Sequence, residues 1–212
     1  MSSEKNTIPV QSQRQPLFNA PRSVTWLCAI LVLCHIAMVL LPNEIGDWLF
    51  ARLALVPSIW SEGHPFYWTL LTYALLHAGF MHVLMNAAMT LAIGSAVARM
   101  VGGGTFLAIF ALSVIGGGLA IYVFSFEHIT VGASGGVTGL IGAAAVLLYR
   151  FRDTDPRAST MASMVGIVVI LNLAMAFTGG SGISWPGHLG GLAAGLIYGY
   201  AANPANGRGL RS

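Results

Sequence analysis

Residues 66–98 read FYWTLLTYALLHAGFMHVLMNAAMTLAIGSAVA, 33 positions without one Asp, Glu, Lys or Arg. A single helix of that length would run roughly 50 Å, while the hydrocarbon core of a bilayer is about 30 Å thick. Gly79 lies where the stretch can divide, so an apolar approach is followed by a membrane span from about Gly79 to Val97. The rest of the chain has the same character. Of its 212 residues 56% are hydrophobic and 8% charged, and the mean hydropathy is +0.74. Soluble domains carry about 25% charge, so a water-soluble enzyme and a disordered chain are both excluded. The 26 glycines follow no collagen period. The net charge of +3 is too thin for a nucleic-acid surface. Cys28 and Cys34 share one apolar run and cannot build a disulfide framework. The apolar runs do not alternate as barrel strands would, which leaves an all-α membrane protein.

Working outward gives six spans. Residues 1–23 are polar and read as a loose tail rather than a signal peptide, because no cleavage site closes the apolar run that follows. The spans are Val24–Leu41, Gly79–Val97, Thr105–Phe124, Ser134–Tyr149, Met161–Phe177 and Gly187–Ala201, and a short tail covers 203–212. Between the first two, about 42–66, charged residues interleave with Trp48, Phe50, Leu53 and Trp60, an amphipathic loop suited to the membrane interface. Lys5, Arg14, Arg22, Arg99, Arg150, Arg152, Arg157, Arg208 and Arg211 fall on one side of this arrangement, and only Arg52 falls on the other. The positive-inside rule then makes both termini cytoplasmic.

Polar groups inside a membrane are costly, so each is a functional candidate. The set is small: His35, His77, His82, Asn86, Ser134, Asn172 and His188, with no carboxylate. Spans two, four and six all start on the outer side. His82 and Asn86 sit in the first turns of span two, four apart and hence on one face. Ser134 opens span four, and His188 is the second residue of span six. Three helices therefore bring these groups to one depth. Gly135, Gly139 and Ala143 on span four, and Gly187, Gly191, Gly195 and Gly199 on span six, recur every four residues. Such strips let membrane helices approach backbone to backbone. That approach predicts the Ser134 hydroxyl within hydrogen-bond reach of the His188 ring, in a water-filled pocket below the outer surface. His128, six residues before Ser134, is the rival base. No carboxylate or thiol joins His77 and His82 to make a metal ligand set, and no cofactor is implied.

Gly132-Ala133-Ser134-Gly135 at the start of a short span resembles the GxSG motif of the rhomboid intramembrane serine proteases. His77, His82 and Asn86 resemble that family's H-x4-H-x3-N signature, and His188-Leu189-Gly190-Gly191 with Gly195 resembles its last-span histidine and glycine strip. The resemblance covers roughly Trp68 to Tyr200. It implies a six-transmembrane-helix rhomboid-like bundle over 24–202, in a bacterial inner or plasma membrane, with the site opening to the non-cytoplasmic side. Ser134 would be the nucleophile and His188 the general base. His82, Asn86 and the Ser134 backbone N–H would form the oxyanion hole. His77, Gly132, Gly135, Gly191 and Gly195 would support the site structurally. Without a carboxylate in the spans, a dyad rather than a triad is what these residues allow. One turn after the nucleophile, where many members place an aromatic ring against the histidine, this chain has Thr138.

The expected activity is cleavage of single-span membrane proteins within or beside their helices, with the bilayer and transmembrane substrates as partners and no nucleic acid. A membrane chaperone or adaptor on the same fold, binding client helices without cleaving them, is the alternative. A small transporter predicts inverted repeats and intramembrane charge, and the chain has neither.

Overall fold

The computed structural model describes residues 20–61, 66–125, 128–178 and 184–203. The expectations for the tail with Lys5 and Arg14, for the side chain of Asn172 and for Arg208 and Arg211 lie outside the described residues. Helices form α1 (Arg22–Leu40), α2 (Asn43–Leu53), α3 (Pro57–Ser61), α4 (Thr69–Thr72) with a 3-10 turn at Tyr73–Leu75, and α5 (Phe80–Val101). They continue as α6 (Gly103–Phe124), α7 (Ser134–Phe151), α8 (Arg157–Thr178) and α9 (Trp185–Ala201). No strand forms among the described residues; one antiparallel bridge joins Leu55 to Thr130.

The helix ends follow local chemistry. Pro42 pushes Leu41 into extended backbone and stops α1 at Leu40. Gly102, at φ +88°, is the whole joint between α5 and α6, a conformation glycine adopts without steric cost. Span six was expected to begin at Gly187, but α9 begins at Trp185. The Ser184 hydroxyl accepts the Gly187 N–H at 3.3 Å and Pro186 occupies the first turn, a pairing that favours helix initiation.

The six long helices alternate in direction. The starts of α5, α7 and α9 and the end of α6 meet around one cavity. At the other end, the Arg150 guanidinium near the end of α7 donates to the carbonyls of Tyr200 and Ala202, which close α9. Arg157, opening α8, donates to the Arg99 carbonyl of α5 at 2.6 Å and pairs with Asp155 at 2.5 Å. Ser23 of α1 lies where a Cβ on Gly103 would meet its hydroxyl, at 2.8 Å, so α1 also starts at the arginine end. These arginines do more than anchor topology: Arg150 and Arg157 satisfy carbonyls that a helix terminus leaves without partners.

Helices α1, α5, α6 and α7 are long and apolar enough to cross a membrane. Their outward faces carry large apolar side chains such as Trp26, Leu33, Leu91 and Val123, an unpartnered surface that a bilayer covers. Helix α2 buries none of its residues. The Trp68 indole N–H donates to the Arg52 carbonyl at 2.8 Å and the Thr72 hydroxyl to the Leu53 carbonyl at 3.0 Å, fixing the end of α2.

The hydrophobic core gathers on α5, α6 and α7, with α1 and α8 packed against it, and α9 packs between α6 and α7. Every buried residue of α9 is a glycine: Gly187, Gly191, Gly195 and Gly199. A Cβ on Gly199 would fall 2.6 Å from Ala143 Cα, and one on Gly190 would fall 2.5 Å from the Gly116 carbonyl oxygen. Side chains have no room in this seam, so backbone meets backbone and dispersion contacts accumulate along it.

Candidate active site

The starts of α5, α7 and α9, the end of α6 and the loops before α5 and α7 build the cavity, which has a volume of about 480 Å³. Ser134, at the first turn of α7, and His188, at the first turn of α9, both line it. His82 and Asn86, from the first two turns of α5, line it as well. The depth agreement read from the sequence therefore has a counterpart in space. No hydrogen bond joins Ser134 Oγ to the His188 ring among the described residues; the two groups line one space. Catalytic hydrogen bonds commonly tighten only when substrate is bound.

Gly132 forms part of the cavity wall beside His82. Its φ of +122° is open to glycine and strained for other residues. A Cβ there would fall 2.7 Å from Cε1 and Nε2 of His82, so the imidazole lies against bare backbone just before Ser134. The Gly132 N–H donates to the Tyr73 carbonyl at 3.0 Å. Tyr73 is buried, and its hydroxyl donates to the Val114 carbonyl at 2.9 Å while lying under Gly135. This tyrosine ties the Ser134 loop to α6. Sequence reasoning missed it because a lone apolar-flanked tyrosine carries no motif.

Asn86 is fully buried at the cavity floor. Its side-chain N–H₂ donates one bond to the His82 carbonyl at 3.0 Å, which leaves the second amide hydrogen available. His77 stands behind this pair. Its ring meets the His82 ring edge-on at 5.0 Å between centroids, and the His35 ring of α1 lies 6.4 Å from it. Neither nitrogen of His77 makes a hydrogen bond of good geometry among the described residues. His35, a candidate in the sequence as an isolated intramembrane histidine, thus joins His77 and His82 in a cluster of three rings beside the cavity. The described residues hold no group of three or more His, Cys, Asp or Glu side chains arranged for a metal.

Gly135 and Gly191 face each other in the α7–α9 seam just below Ser134 and His188, and Gly139 and Gly195 do the same one turn deeper. Thr138 sits between these levels, its hydroxyl 3.1 Å from the His188 carbonyl oxygen and 3.0 Å from that of Gly135. The rival base His128 also lines the cavity, at its exposed mouth. Trp185 lines it from the start of α9; the Ser-Trp-Pro signal for a helix start could have shown that α9 begins there.

Taken together, a hydroxyl, an imidazole and amide and imidazole donors converge on one cavity among apolar helices. That set can open an amide: a base beside an alcohol generates the nucleophile, and donors aimed into the space can hold the oxyanion. The family model of the Rhomboid domain matches residues 64–204, which takes in the cavity residues named here. The Rhomboid protease GluP of Bacillus subtilis is 36% identical over 131 residues, 62% of this chain and 25% of that protein. The Putative rhomboid protease YdcA of the same organism is 33% identical over 132 residues, covering 62% of this chain and 65% of that one. The Rhomboid protease GlpG of Klebsiella pneumoniae is 27% identical over 196 residues, 87% of this chain and 66% of its own. The chain thus spans a quarter to two thirds of these relatives.

Proposed function

The chain belongs to the rhomboid family, and on that premise we propose that it is a serine endopeptidase that cleaves transmembrane segments of single-span membrane proteins. Ser134 is the nucleophile and His188 the general base. The observation that carries this reading is the convergence of Ser134, His188, His82 and Asn86 on one cavity.

In the proposed reaction His188 takes the Ser134 hydroxyl proton as Oγ bonds to the substrate carbonyl carbon. The resulting oxyanion accepts from the free Asn86 amide hydrogen, the His82 ring and the Ser134 backbone N–H. Each such donor is worth about 3 kcal/mol. The C–N bond then breaks and His188 returns the proton to the leaving amine. Water attacks the acyl-enzyme, His188 takes its proton, and the carboxyl product leaves as Ser134 recovers its hydrogen. No metal or organic cofactor enters this scheme. A substrate helix must unwind to offer its carbonyl, which favours small or helix-weakening residues near the cut.

The alternating helices and the arginines at one end support six crossings with both termini cytoplasmic. The cavity, at the opposite end, then opens to the non-cytoplasmic side and admits water there.

The test is labelling of the full chain with a serine-directed fluorophosphonate, alongside cleavage of tagged transmembrane substrates. Both activities are expected in the wild type and lost in Ser134→Ala. Cleavage that survives Ser134→Ala refutes the assignment. A folded wild type that neither labels nor cleaves supports the client-binding adaptor instead.

A further inference from the structure

A histidine that works without a carboxylate partner needs another restraint on its ring. We propose that Trp185 is that restraint: a positioning residue that holds the His188 imidazole toward Ser134. The inference rests on the Ser134–His188 reading above. The two rings lie 6.3 Å apart between centroids with an interplanar angle of 69°, within the range of edge-to-face aromatic pairs. They are three residues apart on α9, so they share a helix face, and both line the cavity.

Trp185 is itself held in place. Its neighbours fix the first turn of α9: Ser184 caps it through the Gly187 N–H, and Pro186 sets the backbone angle between the two rings. Below them, the Thr138 hydroxyl reaches the His188 carbonyl. The His188 N–H donates to the Ser184 carbonyl at 3.0 Å, so its backbone is held in the first turn of α9 and its ring can swing only about its own side-chain torsions. Trp185 occupies one side of that swing. No other aromatic ring pairs with His188 among the described residues, and Thr138 offers no ring from α7. Trp185 is also 55% exposed, so its removal costs little core packing, and loss of activity can be separated from loss of fold.

The test compares Trp185→Ala, Trp185→Leu and Trp185→Phe in the full chain. It measures three quantities: the rate of Ser134 labelling by a small fluorophosphonate, kcat and KM on a transmembrane substrate, and thermal unfolding. The expected result is a fall of about tenfold or more in kcat and in labelling for Ala and Leu, with KM and the unfolding midpoint near wild type and most of the rate restored by Phe. Three results overturn the proposal: wild-type rates in Ala and Leu, a change in KM alone (which would make Trp185 a substrate contact), or a Phe variant as slow as Ala. A wild type that fails to label at all refutes the serine-protease reading itself, which separates the two failures.

Discussion

The side-chain oxygen of Thr138 lies 3.1 Å from the carbonyl oxygen of His188, across the glycine seam between α7 and α9. The same hydroxyl also lies within 3.1 Å of the Ser134 and Gly135 carbonyls of its own helix. Its one proton therefore chooses among three acceptors, all within a turn of the two candidate catalytic residues. A threonine in mid-helix commonly bonds back to its own helix; here the hydroxyl can also bond to the neighbouring helix. Thr138→Val keeps the branched shape and removes the proton. An interhelical bond in a membrane averages about 0.6 kcal/mol. The variant is expected to unfold slightly earlier on heating and to label more slowly at Ser134, and Thr138→Ser should restore both. Thermal unfolding and labelling rates in one detergent check this.

Gly132 gives a sharper test. Any side chain there meets the His82 ring and adopts a left-handed backbone that costs of order 1–3 kcal/mol. Gly132→Ala is expected to move His82 or the Ser134 loop and to cut kcat by about 100-fold, the loss typical of one oxyanion donor. KM should change little. Single-turnover cleavage, with unfolding measured in parallel, reads the effect.

His128 and His188 share the cavity with Ser134, so spacing along the chain does not choose the base. His188 is the better placed, on a helix packed against that of Ser134, while His128 lies in an exposed loop. His188→Ala should abolish cleavage, and His128→Ala should retain it within about threefold of wild type, the change expected of a surface substitution below 0.7 kcal/mol. Cleavage assays on both variants decide the matter; the reverse pattern would reassign the base.

At the arginine end, a pH dependence follows from Asp155. Its hydrogen bonds from the Arg157 side chain hold the carboxyl below its ordinary value. A depressed carboxyl stabilises the fold fully above the pKa it has in the unfolded chain, about 3.9. That contribution fades as pH falls through the lower folded value. Asp155→Asn should therefore lower the unfolding midpoint at pH 7, and the gap from wild type should narrow as the pH is taken below about 4. Unfolding scans of both proteins from pH 7 to pH 3 check the direction.

Much of this was legible in the chain because a membrane imposes few alternatives. Charge-free runs marked the long helices, and α6 and α7 end or begin within a few residues of the expected positions. Motif spacing brought Ser134, His188, His82 and Asn86 to one cavity. What the sequence did not disclose are contacts that depend on the angle between helices. The Tyr73 hydroxyl on Val114, the Trp185 ring beside His188 and the Thr138 bond across the seam have no spacing signature. The direct Ser134–His188 hydrogen bond was expected from close packing. The seam is as tight as expected, yet the side chains face the cavity without bonding, because glycine strips set the backbone distance and leave the torsions of the flanking residues free.

The grip of Arg150 on the last carbonyls of α9 has a consequence for how far that helix can change. Helix α9 is tethered at its foot by a guanidinium from α7, while Ser134, at the head of the same α7, waits for His188. The imidazole's height and heading are thus metered from the opposite end of the bundle by a fixed number of residues. Inserting one residue between Gly191 and Tyr200, with the foot held, would lift His188 by about 1.5 Å and swivel it by about 100°. Rhythm as well as composition is therefore constrained along α9, and a length change is expected to silence cleavage even where every named side chain survives.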